Sequence, residues 1–504
     1  MQLTLTQIAA LLGAPAPEDA ARPVAGYSID SRTIRPGELF FAVRGQRLDG
    51  HQFVVSALCN GAVAAVVSAE RAGAFPQEVQ PRLLAVPDTL AALHVLAAGV
   101  RQRWGGPVVA ITGSAGKTTT KQMIAALLRT RFRTLENSGN WNNQFGLPLS
   151  LLRLDPEHEI GVFELGMSAP GEIRLLAGLA RPDVGVVTNV SAAHLEFFPN
   201  VQAIARAKRE LVESLGNGDW AVLNADDPRV AAFGAHSRSA AFYFGLSDAA
   251  DLRASDLRSC PEGGYRFRVH APAHRSESCG AAWKGRRAAE FPPPCSPATE
   301  LYLPLLGRHS VSNLLAALSV AWLFGISPAE LTAAVSALRP APQRGELVRL
   351  ASGALVVDDT YNSNPAALEA MLEAVAEIPA AKHYAVLGGM MELGAASEQL
   401  HYRCGRRAAE LGYAGLITVG EAARPLAAGA RAAGLPDAAI AHCAATEEAG
   451  ERLRGWMERG DVALLKASRA VRLETIWNHL GPRAAEQASP VGAGTAAGCR
   501  GEGV

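Results

Sequence analysis

The sequence predicts an α/β protein of more than one domain, and three observations lead there. Apolar, strand-like runs alternate with helix-compatible stretches over most of the chain, as expected of parallel strands joined by crossover helices. The alternation stops and restarts at a proline-containing junction, "RPAPQRGEL", around residues 339–344. Finally, 504 residues are too many for one hydrophobic core and suggest two to four domains.

The elements follow in order. "MQLTLTQIAALLGAP" opens the chain, with Thr6 the expected cap of a short helix. It lacks the basic opening and cleavage site of a signal peptide. About eighty residues of short β-like segments come next, including "GYSIDSRTIRPGELFFAVRG", bounded by Gly and Pro. "DTLAALHVLAAGVRQRW" is helical. The strands of a central domain are then expected at "VVAIT", "IGVFELG", "VGVVTNV" and "WAVLNADD". A second, smaller α/β domain follows the junction, with strands at "LVVDDTYNSNP", "HYAVLGGM", "GLITVG" and "DVALLKASR". Residues 256–299, rich in Pro, Cys and Arg, read as an irregular insertion, and "EQASPVGAGTAAGCRGEGV" reads as disordered.

Composition narrows the function classes. The chain is 49% hydrophobic and 19% charged, which suits a soluble globular protein. Forty-eight basic side chains balance forty-eight acidic ones, leaving no net field for nucleic acid or an anionic membrane surface. No apolar run is long enough to span a bilayer, so membrane insertion is not expected. Seven cysteines, odd in number and without Cys-x-x-Cys spacing, fit a reduced cytoplasm.

The chemistry centres on "AITGSAGKTTTKQM", where a strand runs into a glycine loop and then a helix. Gly113 and Gly116 let backbone N–H groups converge on phosphate oxygens, Lys117 supplies a point charge, and Thr118 offers a hydroxyl to Mg²⁺. Ile111 stands where the standard P-loop spacing has its first glycine. Glu164, closing "IGVFE", and His194, past "VGVVTN", follow apolar strands, whose C-terminal ends face the crevice of an α/β sheet. Taken singly, they would serve equally as a solvated strand end and a hydrogen-bonded loop histidine.

Beyond these residues the sequence resembles the Mur ligases over nearly its whole length. The likeness is carried in family order by "SIDSRTIRPGELFFAVRGQRLDGHQF", "TGSAGKTTT", "SGNWNNQFGLPLSLL", "FELGMSAPGEI", "TNVSAAHLEFF", "IARAKRELVESL", "LPLLGRHSVSNLLAALSVA", "APQRGEL", "VVDDTYNSNPAALEAM", "VLGGMMELG" and "LLKASRAVRLE". The resemblance implies three domains: an N-terminal UDP-substrate domain (residues 1–84), a central P-loop-type ATPase domain with a mostly parallel sheet (85–338), and a C-terminal Rossmann-like domain (339–482). A disordered tail, 483–504, would follow.

The implied reaction is ATP-dependent amide formation that joins D-alanyl-D-alanine to UDP-N-acetylmuramoyl-tripeptide through an acyl phosphate. The implied partners are thus small molecules, and a monomer is expected. By resemblance, ATP lies on Gly113, Ser114, Ala115, Gly116, Lys117, Thr118 and Thr119, with Asn313 near adenine and Arg344 and Asp359 at the ribose and phosphates. Mg²⁺ falls to Thr118, Glu164, His194 and Lys208. Lys208, in "IARAKREL", is implied to be carbamylated; the residues alone suggest a solvated helix lysine. Ser28, Asp30, Ser31, Arg32, Gly45, Asp49, Gly50 and His51 match the UDP-sugar region. Asn140, Asn142 and Asn143 are candidates to hold the muramoyl peptide, although loop-capping amides would look the same.

The chain departs from the family pattern in places. Ala115 replaces an Asn of the glycine loop, Ser310 an Asn after His309, Gly389 an Asp, and Ala467 the Gly of "KGSR". A member adding the third amino acid would carry "DYAHTP" where this chain has "DDTYNSNP", and a "DNPR" that it lacks. Folylpolyglutamate synthase shares the ATPase core but not the N-terminal domain. From a different class, a P-loop kinase or nucleotide switch would need neither Lys208 nor two α/β domains meeting at ATP.

Overall fold

The computed structural model describes residues 2–17, 20–45, 48–260, 263–272 and 298–484. Among the described residues, three sheets are laid out along the chain. The first has four parallel strands in sequence order, Gly26–Ser28, Glu38–Phe41, Ala64–Ser68 and Leu83–Val86. The boundary expected after residue 84 therefore falls inside its last strand. The opening helix, Leu5–Leu12, is capped by Thr4 rather than Thr6. Thr4 has the extended backbone a cap requires and exchanges hydrogen bonds with Gln7, whereas the Thr6 hydroxyl donates to the Ala20 carbonyl at 2.9 Å.

The second sheet has nine strands among the described residues. Thr134–Glu136 forms one edge and pairs with Ile160–Glu164, followed by Val108–Thr112, Val184–Val187, Trp220–Asn224 and Ala240–Gly245, all parallel. Apolar side chains cover both faces. Val109, Ile111, Val162 and Val186 pack against the helices Lys117–Leu128 and Arg308–Leu323, while Val108, Ala110, Phe163 and Val187 share a core with the N-terminal domain. Burial on both faces explains why these strands read as unbroken apolar runs.

The far edge corrects the expectation of an irregular insertion at 256–299 for the part of it that is described. Leu252–Ser259, Tyr265–His270 and Thr299–Leu303 extend the sheet, the last two pairings antiparallel. In "YRFRVH" the buried Tyr265, Phe267 and Val269 alternate with exposed Arg266 and Arg268, the period-two pattern of a half-covered strand. Residues 273–297 lie outside the described part, as does most of the tail expected to be disordered.

The third sheet runs Glu346–Arg349, Leu355–Asp359, Val462–Lys466, His383–Gly388, Gly415–Val419, Ile440–Cys443. Its first pair is antiparallel and the rest are parallel. The junction at residues 339–344 lies between the helix Thr332–Ser336 and the first of these strands. Among the described residues, Cys59, Cys260, Cys404 and Cys443 are free thiols, and no helix is long and apolar enough to cross a membrane.

Candidate active site

A cavity of about 1880 Å³ opens where the three domains meet. Its floor is the glycine loop. Gly113 follows the strand Val108–Thr112 with φ 155°, and a Cβ there would collide with Thr188 Oγ1. Gly116, at φ 79°, caps the helix Lys117–Leu128 and lies against the Asn313 carboxamide. Both positions require glycine, one for close approach and the other for a left-handed backbone. Thr188 Oγ1 donates to the Ala115 carbonyl at 2.7 Å, and the Asn189 carboxamide meets the Ala115 N–H and C=O at 3.0 and 3.1 Å. The loop is thus held open from outside, with the positive end of the helix facing the cavity.

Two lysines share one acceptor. Lys117 Nζ and Lys208 Nζ each lie 2.9 Å from the Gly113 carbonyl oxygen. Lys208 comes from the helix Val201–Glu213 and is 1% exposed. Burial, reinforced by the charge of Lys117, drives its amine well below the ordinary lysine range. Burial also lowers Lys117, partly offset by Glu164.

Glu164, buried at the end of Ile160–Glu164, accepts from Thr118 Oγ1 at 2.7 Å on one oxygen and from Asn142 Nδ2 at 2.7 Å on the other. From the C-terminal domain, Arg344 Nη2 donates to the Thr118 hydroxyl at 3.2 Å. The Arg344 guanidinium also lies over the Tyr361 ring at 4.1 Å, with Arg469 5.6 Å from the same ring. Asn364, capping the helix Pro365–Ala376, contacts the Ser114 carbonyl at 3.5 Å.

His194 is engaged across the domain boundary. Its Nδ1 hydrogen-bonds to Glu392, and the Glu196 N–H donates to the Glu392 carbonyl at 3.0 Å. His194 and Glu392 both have φ 62°, an uncommon conformation outside glycine that this contact helps to hold. The His194 hydrogen bond holds the Glu392 carboxyl below its ordinary value. Asp359 pairs with Lys466, and burial raises its carboxyl. Nearby, His309 Nδ1 is buried without a hydrogen-bond partner, and desolvation pushes the imidazole down to about 4.

The sequence-predicted residues therefore divide. Ser114, Ala115, Gly116, Lys117, Thr118, Thr119, Glu164, His194, Asn313, Arg344 and Asp359 line the cavity, as do Asn140, Asn142 and Asn143. Asn143 spends its carboxamide oxygen on the N–H groups of Phe145 and Gly146. From the N-terminal region Gly45 lines the cavity, together with Arg44 and Leu48. Ser28, Asp30, Ser31, Arg32, Asp49 and His51 are not among the lining residues. Asp30 pairs with Arg32, while Asp49 accepts from His51 Nδ1 at 2.7 Å and Arg71 Nη1 at 2.7 Å. His51 Nε2 accepts from the Ser68 N–H at 2.9 Å. Sequence reasoning missed Glu392, Asn189, Tyr361 and Lys466. Glu392 stood inside a quoted motif, but only the fold brings it to a histidine 198 residues away.

A glycine-loop domain closed by a second α/β domain over a shared chamber defines a nucleotide-dependent enzyme. Residues 23–101, 111–321 and 343–469 match, respectively, the Mur ligase family catalytic domain, the Mur ligase middle domain, and the Mur ligase glutamate ligase domain. The chain belongs to the Mur ligase family. It is 33% identical over 457 residues to the UDP-N-acetylmuramoyl-tripeptide--D-alanyl-D-alanine ligase of Bacillus subtilis, covering 90% of this chain and 93% of that one. Its fold is similar to MurF from Acinetobacter baumannii, with a TM-score of 0.82, 27% identity and coverage of 95% and 99%. It also resembles the Thermotoga maritima MurF ligase solved in complex with ADP, at a TM-score of 0.75, 29% identity and coverage of 90% and 96%.

Proposed function

We propose that this protein uses ATP to join D-alanyl-D-alanine to UDP-N-acetylmuramoyl-tripeptide, the last peptide addition to the peptidoglycan precursor, in the cytoplasm. The observation that carries the reading is one chamber in which Lys117, Thr118 and Glu164 meet Arg344 from the opposite domain, with the buried Lys208 on the Gly113 carbonyl that Lys117 also contacts. Relatives bearing that activity in their names match nearly the full chain.

In the proposed reaction a tripeptide carboxylate oxygen attacks the γ-phosphorus of ATP and ADP leaves. The dipeptide amine then adds to the acyl carbon, and the tetrahedral adduct expels phosphate as the amine loses its proton. Positioning and charge neutralisation dominate such transfers. The glycine-loop N–H groups and Lys117 would hold the β- and γ-phosphates. Arg344 would bring its charge to the γ-phosphate as the domains close. Asn313 would face the nucleotide from the other side of Gly116, and Asp359, beside Lys466, would serve the ribose end.

The donor set suits Mg²⁺. Thr118 and Glu164 are hard oxygen donors in contact with each other, and Mg²⁺ usually takes few protein ligands beside phosphate oxygens and water. His194, held by Glu392, would border that position. When bound, the ion would neutralise the phosphate charge. Two ammonium groups on one carbonyl oxygen repel each other, which supports a carbamylated Lys208. Its lowered basicity favours the neutral amine that adds CO₂, and the carbamate formed would place an anion beside Lys117.

On the N-terminal side, the turn holding Arg44 and Gly45 would meet the UDP substrate. Residues 28–32 and 49–51 lie at the carboxyl ends of the same parallel strands, where α/β sheets take ligands. Asn140 and Asn143 would face the muramoyl peptide.

The test is phosphate release from ATP and Mg²⁺ with UDP-N-acetylmuramoyl-tripeptide, with and without D-alanyl-D-alanine, while product mass is followed. Release that needs both substrates and a product heavier by the dipeptide is expected. Release with single amino acids on the dipeptide precursor would move the assignment to the preceding ligase, and release indifferent to both substrates would leave only a nucleotidase.

A further inference from the structure

Lys121 is a buried cation that the ligase reading leaves unused. It lies one turn beyond Lys117 on the helix Lys117–Leu128 and is 1% exposed. Its Nζ donates to the Asn137 carbonyl at 2.5 Å, and the Glu136 carboxylate lies 3.7 Å away. Removing an ammonium from water is expensive unless it is paired, so this placement calls for a reason beyond filling space.

The reason lies in what Asn137 does. The edge strand Thr134–Glu136 pairs in register with the strand that ends at Glu164, through Thr134 with Ile160, Leu135 with Gly161 and Glu136 with Val162. There the backbone ladder stops. The Asn137 carboxamide continues it, accepting from the Glu164 N–H at 3.0 Å and donating to the Glu164 carbonyl at 3.3 Å. The same Nδ2 donates to the Trp141 carbonyl at 2.8 Å, which anchors the loop that brings Asn142 to the Glu164 carboxylate. One side chain thus fixes both the strand end and the loop beside it. Lys121 in turn fixes the Asn137 main chain.

We propose that Lys121 is a positioning residue for the metal-nucleotide end of the chamber, acting through Asn137 to hold Glu164 against Thr118. Each Glu164 carboxylate oxygen has a single short hydrogen bond, so its aim depends on the backbone beneath it. Small misplacements of such groups are expensive in rate. The inference rests on the ligase reading and adds to it a residue outside the chamber wall.

The test uses full-length Lys121→Met beside the wild type. Steady-state constants are measured with all three substrates, and ADP binding is titrated calorimetrically at a series of Mg²⁺ concentrations. The expected result is kcat lowered roughly 10- to 100-fold and a Mg²⁺ requirement for ADP binding raised to a similar degree, as when a supporting partner of a metal ligand is lost. The KM for the muramoyl substrate should stay within about twofold. Asn137→Ala should move both readouts the same way, the double variant should be no worse than the weaker single one, and Lys121→Arg should recover part of the loss. A merely structural lysine would lower the melting temperature while leaving kcat per folded molecule and the Mg²⁺ requirement at wild-type values, which would overturn the proposal. Should Lys121→Met not fold, Asn137→Ala decides on the same readouts. Wild type that forms no dipeptide adduct would defeat the ligase reading, whereas wild type that ligates beside variants that match it would defeat only this one.

Discussion

The nucleotide end of the chamber and the N-terminal domain are built differently. At the nucleotide end, Lys117, Thr118, Asn142, Glu164, Lys208 and Arg344 come from distant parts of the sequence and meet around Gly113 and Glu164. In the N-terminal domain, the predicted residues off the chamber wall pair within that domain, Asp30 with Arg32 and Asp49 with His51 and Arg71. The first arrangement concentrates buried charge on a cavity, a stable choice only if a ligand of opposite charge repays the desolvation. The second arrangement satisfies itself. Substitutions at the nucleotide end should therefore act on turnover, and those at these N-terminal pairs mainly on fold stability.

The largest effect is expected at Lys117. Lys117→Ala should lower kcat on the order of 10³-fold, since in the proposed reaction it removes the charge that would meet the transferring phosphoryl group. Its folded state should be no less stable, because a desolvated cation is lost. Undiminished ligation in a steady-state assay would refute the phosphate role and remove half of the contrast.

Lys208→Ala comes next, with turnover reduced roughly 100-fold and partly restored by added formate or acetate, which would replace the carboxylate-like end of a carbamate. Wild-type turnover without any additive would count against the modification. A smaller change is expected for Arg344→Ala. Arg344 makes one charge-assisted hydrogen bond across the domain gap, so the KM for ATP should rise about tenfold, equivalent to ~1.4 kcal/mol, with a lesser change in kcat. A KM shift for the muramoyl substrate instead would place this arginine at the other end of the chamber.

The same contrast governs what the sequence made legible. The glycine loop, the parallel strands and the strand-end position of Glu164 are local properties of short runs, set by apolar burial on both faces of a sheet and by glycine at special φ. Lys121, Asn137 and Glu392 carry no such signal. Lys121 reads as a surface lysine within "KTTTKQM" until the edge strand is laid over it, and Glu392 becomes informative only beside His194. "YRFRVH" did carry its signal, since the alternation is plain. Its arginines and the composition around it obscured the strand.

The smallest effect is expected at Asp49, and it would sharpen the comparison most. Asp49→Asn keeps the shape but weakens the links to His51 and Arg71, so the N-terminal domain should lose about 1–3 kcal/mol while kcat changes little. The pH dependence separates this loss from a packing defect. Burial works to raise the Asp49 carboxyl, but the His51 hydrogen bonds and the Arg71 charge hold it below its ordinary value. A carboxyl depressed in the folded state contributes stability that is complete above its unfolded pKa, near 4, and is lost as pH falls through the lower folded value. Wild-type stability should therefore decline below about pH 4 more steeply than that of Asp49→Asn, and the two denaturation midpoints should converge on acidification. Parallel curves at every pH would mean that the Asp49 charge does not hold this turn together, and a raised KM for the UDP substrate at unchanged stability would make Asp49 a direct substrate contact.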